Sequence, residues 1–329
     1  MFYFLLKPFV GPKQANYQHA PIVFAEGLIQ HKIPFKANID YYPDPSGNFL
    51  FKKAETLPPN TTYIVTAHPE DFKDEMAAFN DTRKYDIIIF DSKDEWVRPQ
   101  STSLLQYAHR YFMTSTKVVS DRIKPLCFAL SNRMIDIIQS QPKVPWAEHQ
   151  NAIFWAHRVD NHRLRNIVKD VYEKKSIKYH KYLDNFESPE DETAFHWWTQ
   201  TGRRHCPKYF AELQKYKYMD AHGGYDNREG GIIQWDSWKV WEGLLSGMLV
   251  ITADLDFYNI NLPFKLIPYV HYIPIRYSHI PDGYANLERL SETKQEQIAL
   301  AGQRLALENF NPKAMAKYIL DQLPDSQQK

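Results

Sequence analysis

The run DSWKVWEGLLSGMLVITADLD, residues 236–256, decides how this chain is read. Asp236 or Ser237 can cap a helix that starts at Trp238 and satisfy its first free amides. Within that helix Lys239, Glu242 and Ser246 share one face, while Val240, Leu244 and Gly247 share another that can pack beneath a sheet. A glycine turn at Gly247 then feeds the apolar strand MLVIT, 248–252. Helix, tight turn and buried strand together are the return half of a βαβ unit, the building block of a parallel sheet.

The same rhythm runs through the rest of the chain. FYFLL (2–6), PFKANI (34–39), TYIVTA (62–67), DIIIFD (86–91) and YFMTST (111–116) read as strands, and 19–31, 70–80 and 101–110 as helices between them. QSQPKVPWAEHQN (139–151) carries two prolines and no period, and reads as an interdomain link. Beyond it, NAIFWAH (151–157) and HYIPI (271–275) read as strands, and 162–175, 190–202, 206–216, 291–310 and 312–323 as helices. The expectation is an α/β protein of two Rossmann-like domains facing across a cleft, 1–145 and 146–329, with the last helix able to pack back on the first domain.

Composition agrees and narrows the function classes. The 329 residues exceed one ordinary core, and 43% hydrophobic with 24% charged is ordinary for a globular chain. A net charge of +1 with no block of one sign offers no general attraction to nucleic acid or an anionic membrane. Two cysteines, Cys127 and Cys206, make neither a disulfide framework nor a paired metal site. MFYFLLKPFVGP reads as a first strand and not a signal peptide, because its apolar core is about five residues and lacks a basic lead. No run approaches the ~18 apolar residues of a membrane span. A cytoplasmic protein is expected. Aromatic content is high at 15%, and aromatic rings suit sugars and nucleobases as well as cores.

A carboxylate at Glu242, lying over such a helix, can accept both hydroxyls of a ribose. The alternative is a Glu242–Lys239 surface pair, worth only about 0.3 kcal/mol. The stretch SWKVWEGLLSGMLVITADLDFY, with HYIPI and LSETKQEQIALAGQRLALENFNPKAMAKYIL, resembles the C-terminal half of two-domain GT-B glycosyltransferases, exostosin-like and group 1 members in particular. The resemblance covers 205–323; before that it is architectural, with FAEGLIQHKIPFKANIDYY a weaker match. It implies a pattern K-x-x-E-x-L-x-x-G whose Glu, here Glu242, holds the ribose of a nucleotide-sugar donor. Retaining members carry a Glu eight residues earlier; that position is Gln234, so the resemblance points to an inverting, exostosin-like enzyme.

The loops after the strands supply the other candidates. HRVDNHRLR (157–165) places Arg158, Arg163 and Arg165 at a helix start, where guanidinium forks and free amides suit a diphosphate; Arg158 and Arg163 are the expected ligands, against a merely solvated helix start. HGGYDNREGGIIQWDSW (222–238) holds four of the twelve glycines, and the base and sugar are expected there, against Gly223, Gly224, Tyr225, Trp235, Ser237 and Lys239. An inverting transfer needs a base on the acceptor hydroxyl, and Asp94, Asp91 and His68 lead, with Glu95 and His19 also placed after strands. Each of these taken singly reads more readily as a cap or loop residue than as the base. Asp254-Leu255-Asp256 spells the D-x-D of metal-dependent transferases but follows the Glu242 helix, and reads as a loop. Trp197-Trp198 reads as core. The expected activity is transfer of a sugar from a UDP- or GDP-sugar to a hydroxyl of a glycan or glycoprotein, with no metal and no cofactor beyond the donor. A nucleotide-sugar epimerase, a metal-using transferase and a non-catalytic nucleotide-sugar or carbohydrate-binding protein are the alternatives.

Overall fold

The computed structural model describes residues 1–8, 18–44, 46–82, 84–92, 108–114, 116–157, 163–181, 207–223 and 235–323. These fall into two compact α/β units, one of 1–132 with 311–323, the other of 133–181 with 207–310. The proline-bearing stretch 139–151 lies within the second unit instead of linking two domains, because Trp146 packs into that unit's core against Ile153 and Tyr218.

In the first unit, β1 (Phe2–Leu5) lies between β2 (Phe35–Ala37) and β5 (Tyr63–Thr66), and β6 (Asp86–Asp91), β7 (Arg110–Thr114) and β8 (Ile123–Leu126) continue outward from β5. All five pairings are parallel. Such strands are covered on both faces, which is why β1 and β5 are buried throughout and the middle of β6 is unbroken Ile-Ile-Ile-Phe. A small antiparallel hairpin, β3 (Tyr41–Pro43) with β4 (Phe49–Phe51), turns through Gly47 at φ +83°. Its two strands, and β8, were absent from the sequence reading. Two helices follow strands: α1 (His19–Gln30), almost wholly buried, and α2 (Lys73–Asp81). The expected helix over 101–110 lies outside the described residues as far as 107, and Arg110 already belongs to β7.

The second unit repeats the plan with five parallel strands in the order β10 (Tyr179–Lys181), β9 (Gln150–Trp155), β11 (Tyr216–Asp220), β12 (Leu249–Ala253) and β13 (Ile273–Ile275). Between them run α4 (Arg163–Lys175), α5 (Pro207–Leu213) and α6 (Trp238–Leu245), preceded by α3 (Asn132–Ser140) and followed by α7 (Ile280–Glu288) and α8 (Glu292–Asn309). The helix read over 190–202 lies outside the described residues. Helix α6 starts at the expected residue and stops at the expected turn, with Gly247 at φ +70°. It lies close against β11 and β12 because Gly243 has no side chain: a Cβ there would come within 2.8 Å of both Met219 and Val250. Trp241, Leu244 and Leu245 are fully buried beside it, each contributing roughly 1.5–3 kcal/mol of burial. Gln303 of α8 donates to the Leu245 carbonyl at 2.8 Å and closes the helix end.

Helix α8 is capped by Ser291, whose hydroxyl accepts from the Lys294 amide. The last helix, α9 (Pro312–Asp321), begins with Asn311 as cap and Pro312 as first residue, and belongs to the first unit. It crosses α1 at Gly27, where an added Cβ would lie 2.1 Å from the Pro312 carbonyl oxygen. The Tyr318 hydroxyl donates to the Pro125 carbonyl and Arg110 Nε to the Gln322 carbonyl, fixing α9 over β7 and β8.

Candidate functional site

In an open parallel sheet the ligand crevice opens at the carboxyl ends of the strands, where successive connections leave to opposite sides. In the second unit the chain leaves β9 for β10 on one side and then for β11 on the other, so that point lies between β9 and β11. Two sequence runs end there, Phe154-Trp155-Ala156-His157 and Met219-Asp220-Ala221-His222. They bring an ionisable cluster into a dry interior: Asp220 and His222 are fully buried, and His157 is 4% exposed.

A buried carboxylate is costly unless donors surround it. Asp220 has four. His157 Nε2 lies 3.3 Å from Oδ1, the His222 amide donates to Oδ1 at 3.2 Å, His222 Nε2 stands 3.4 Å away, and the Tyr172 hydroxyl donates to Oδ2. A second layer of tyrosines continues the chain of contacts. Tyr172 and Tyr284 hydroxyls are 2.6 Å apart, Tyr284 lies 3.2 Å from His222 Nε2, and Tyr277 lies 3.2 Å from His222 Nδ1. Burial works to raise the Asp220 carboxyl, but attraction to His222 and the hydrogen bonds from His157 and Tyr172 outweigh it and hold it down at about 2. Burial pushes His157 down to about 3 against its bond to Asp220, and Arg165 and Lys239 push it the same way. His222 is lowered by burial and Arg165, with Asp220 opposing. At neutral pH the cluster is therefore one carboxylate, two neutral imidazoles and their phenols. Arg165 and Lys239 sit in the first turns of α4 and α6, so each of these helix starts brings a cation to the cluster.

Of the expected donor-site residues, Gly223, Trp235, Ser237, Lys239 and Glu242 are described in full. Glu242 is not on an open face: it is 2% exposed, and the Tyr209 hydroxyl of α5 donates to its Oε2 at 2.7 Å, which excludes the surface pair with Lys239. Ser237 occupies the cap position of α6, yet its side chain makes no capping bond and its buried hydroxyl has no partner. Asp236 instead accepts the Trp241 indole N–H at 2.7 Å. Lys239 is half-buried in the first turn. Trp235, expected as a stacking platform, is a core residue with no exposed surface; it packs edge-on to Trp241 and donates to Thr252. Gly223 is buried directly after His222. Gly224, Tyr225, Gln234 and Arg158 lie outside the described residues, and of Arg163 only the backbone, the first residue of α4, is described.

The D-x-D reading as a loop is explained by contacts. Asp254 accepts Arg276 Nε at 2.8 Å and the Phe257 amide at 3.1 Å, while Asp256 pairs with Lys265, so the two carboxylates serve different cations. Among the described residues no three His, Cys, Asp or Glu side chains are arranged to hold a metal ion.

The first unit has its own such point, between β1 and β5. Gln18 grips the Lys7 backbone, accepting from its N–H at 2.6 Å and donating to its carbonyl at 3.1 Å. Lys7 Nζ meets Asp71 at 3.0 Å, and His68 Nδ1 lies 3.8 Å from the same carboxylate oxygen. The His68 backbone N–H donates to the Thr66 hydroxyl, which fixes the turn after β5. Asp91, the last residue of β6, accepts from the Tyr111 hydroxyl. His19 lies at the start of α1, buried, with Nε2 3.3 Å from the Ala129 carbonyl. Asp94, Glu95, Trp197 and Trp198 lie outside the described residues.

No family model matches the chain, and no curated protein matches it in sequence. Solved structures do match in fold, over nearly the whole length of both chains. The glycosyltransferase from Rickettsia africae gives a TM-score of 0.56 at 10% identity, covering 97% of this chain and 96% of its own. HepE from Anabaena, solved with UDP and glucose, gives 0.52 at 11% identity over 98% of each. An alpha-1,3-fucosyltransferase solved with GDP-fucose gives 0.51 at 7% identity over 99% of this chain and 91% of its own. The fold is the GT-B fold. Within it the cluster that sequence reasoning missed, His157, Asp220 and His222 with Tyr172 and Tyr284, stands at the carboxyl ends of the neighbouring strands β9 and β11 of the second unit. A signal was present: two apolar runs, each ending in a titratable residue one or two positions past the strand. Among the described residues no helix is long and apolar enough to cross a membrane.

Proposed function

We propose that the chain is a glycosyltransferase that moves a sugar from a UDP- or GDP-linked donor to a hydroxyl of a glycan or glycoprotein. The observation that carries this reading is the switch point of the second unit, where a preorganised polar cluster meets two helix starts, each bearing a cation. Anions are favoured at such helix starts by free amides and the aligned peptide dipoles. The donor's diphosphate would lie against α4 and α6, met by Arg158, Arg163, Lys239 and Ser237, with the base along Gly223, Gly224 and Tyr225. Glu242 would take the ribose hydroxyls, its carboxylate already oriented by Tyr209.

Transfer needs a base to take the proton of the acceptor hydroxyl as its oxygen bonds the anomeric carbon. The bond from that carbon to the diphosphate oxygen breaks on the opposite face, inverting the configuration. The leaving charge would be met by arginines, Lys239 and helix amides without a metal or any further cofactor. Asp94, Asp91 and His68 are the candidates for the base. Asp91 already accepts a phenol hydrogen bond, which weakens it as a base, whereas His68 stands beside a carboxylate that can orient it.

Thermal-shift titration with UDP, GDP, UDP-glucose and GDP-fucose tests the donor, since a ligand that binds only the folded chain raises its melting temperature. Stabilisation by at least one is expected, and stabilisation by none refutes the reading. Glu242→Ala should weaken that ligand at least ten-fold, and unchanged affinity would remove the ribose role. His68→Ala should keep donor binding and lose transfer to a glycan acceptor panel, with wild-type turnover surviving a chelator.

A further inference from the structure

The first unit fixes one lysine more firmly than a surface lysine requires. Just past β1, Asn38 accepts from the Leu6 N–H at 2.8 Å and donates to the Leu6 carbonyl at 3.0 Å, and Gln18 grips Lys7 in the same two-point manner. Each side-chain amide stands in for a neighbouring strand, so the backbone carrying Lys7 is held at both residues. Gln18 has no exposed surface, and burying an amide is costly unless its donor and acceptor are both used. A second fixed turn faces this lysine. The His68 N–H donates to the fully buried Thr66 hydroxyl at 3.1 Å, and the Asp71 N–H donates to the His68 carbonyl at 3.1 Å, which ties Asp71 to His68. One carboxylate oxygen joins the two halves: Asp71 Oδ2 lies 3.0 Å from Lys7 Nζ and 3.8 Å from His68 Nδ1. The longer distance exceeds a direct hydrogen bond, so the ring meets Asp71 as a charge. The side chains of Lys7, Asp71 and His68 are 36%, 45% and 12% exposed, so all three reach solvent.

We propose that Lys7 is a positioning residue for His68: by holding and neutralising Asp71, it keeps the imidazole in the unprotonated form that can act as a base. This rests on the glycosyltransferase reading in which His68 takes the proton of the acceptor hydroxyl. A base must be unprotonated before it acts. A bare carboxylate 3.8 Å from a histidine favours the imidazolium, and a lysine on the same carboxylate oxygen opposes that pull. The Lys7–Asp71 pair is too exposed to contribute much stability, so its effect falls on where the ring titrates. Around the same turn, among the described residues, Glu70 is next to Asp71 in the chain and acts on the Tyr111 phenol of β7, which donates to Asp91 of β6. These three groups are untouched by substitution at Lys7 or Asp71 and bear on every titration alike.

The test is a pH titration of the His68 ring in the full chain by imidazole NMR, its signal assigned by its loss in His68→Gln. Lys7→Met removes the cation and should raise the midpoint of the ring by about half a pH unit. Asp71→Asn removes the anion but leaves Lys7 in place, and should lower the midpoint by about as much. Both substitutions are at side chains that reach solvent, so both variants should fold. Transfer from UDP-glucose and GDP-fucose to the glycan panel is then followed against pH. The acid limb of kcat/KM should move with the ring, which on that limb makes Lys7→Met about three-fold slower and Asp71→Asn about three-fold faster relative to their own plateaus. Donor affinity should stay unchanged in both. Midpoints that shift in the same direction, or not at all, overturn the proposal even where no acceptor is found, because the ring titration needs no substrate. An acid limb that ignores the ring overturns it too, while the glycosyltransferase reading stands. If the wild-type chain binds neither donor nor its nucleotide, that reading falls and the inference with it.

Discussion

Lowering the pH should destabilise the second unit well before its carboxylates titrate. His157 is neutral when folded, held down at about 3 by burial, but takes up a proton near 6.5 when unfolded. A lowered histidine contributes its full stability above the unfolded value and loses it as pH falls from there toward the folded value. The loss is about 1.4 kcal/mol for each pH unit in that interval. At pH 5 the ring is about 1.5 units below 6.5, so the unit should be less stable than at pH 7.5 by about 2 kcal/mol from His157 alone. His222 is lowered too and adds in the same direction. Asp220, held down at about 2, enters only below about pH 4, outside this window. The phenols of Tyr172 and Tyr284, raised far above their ordinary value by burial, stay neutral throughout. Urea unfolding followed by tryptophan fluorescence reads this unit, because Trp155 and Trp241 lie in its interior. His157→Gln keeps a donor toward Asp220 and removes the titrating ring. Its stability should vary by about 2 kcal/mol less between pH 7.5 and pH 5, whatever its value at pH 7.5. Parallel curves for variant and wild type would show that His157 is not the buried neutral group described here.

Two further predictions concern close approaches of backbone. Gly243→Ala puts a methyl within 2.8 Å of Met219 Cβ and Val250 Cγ2, so it should cost about 1–3 kcal/mol in urea unfolding by lifting α6 off β11 and β12; a neutral substitution would contradict that packing. Gly27→Ala places its Cβ 2.1 Å from the Pro312 carbonyl oxygen and 2.4 Å from Ala316 Cβ, and backbone cannot step aside cheaply. Faster amide exchange confined to α9 and α1 is the expected result, and unchanged exchange in 312–321 would count against the crossing.

The architecture was legible because a buried parallel strand must be apolar on both faces, and runs such as Ile87 to Phe90 and Leu249 to Ile251 can be nothing else in a chain of this rhythm. The turn at Gly247 was legible for an equally local reason, since a left-handed residue there asks for glycine. What escaped was whatever depends on a partner far along the chain. Periodicity shows that Glu242 differs from the stripe of Val240 and Leu244, but not that Tyr209, thirty-three positions earlier, covers it. Ser237 sits where a cap belongs and does not cap, because the helix start is buried among other groups. Asp220 follows the apolar Met219 at the end of a strand, Tyr172 reads as one more aromatic on the buried face of α4, and Tyr284 lies on a helix that sequence analysis did not recognise. Their contacts span 48, 63 and 112 positions, so nothing in a local window joins them. Topology does. Once β9 and β11 are neighbours with the chain leaving them in opposite directions, the residues just past each strand are forced together, and only types that satisfy one another can occupy that place without water. A histidine, a carboxylate and a second histidine meet this demand almost completely, with His157 Nδ1 left buried and without a partner.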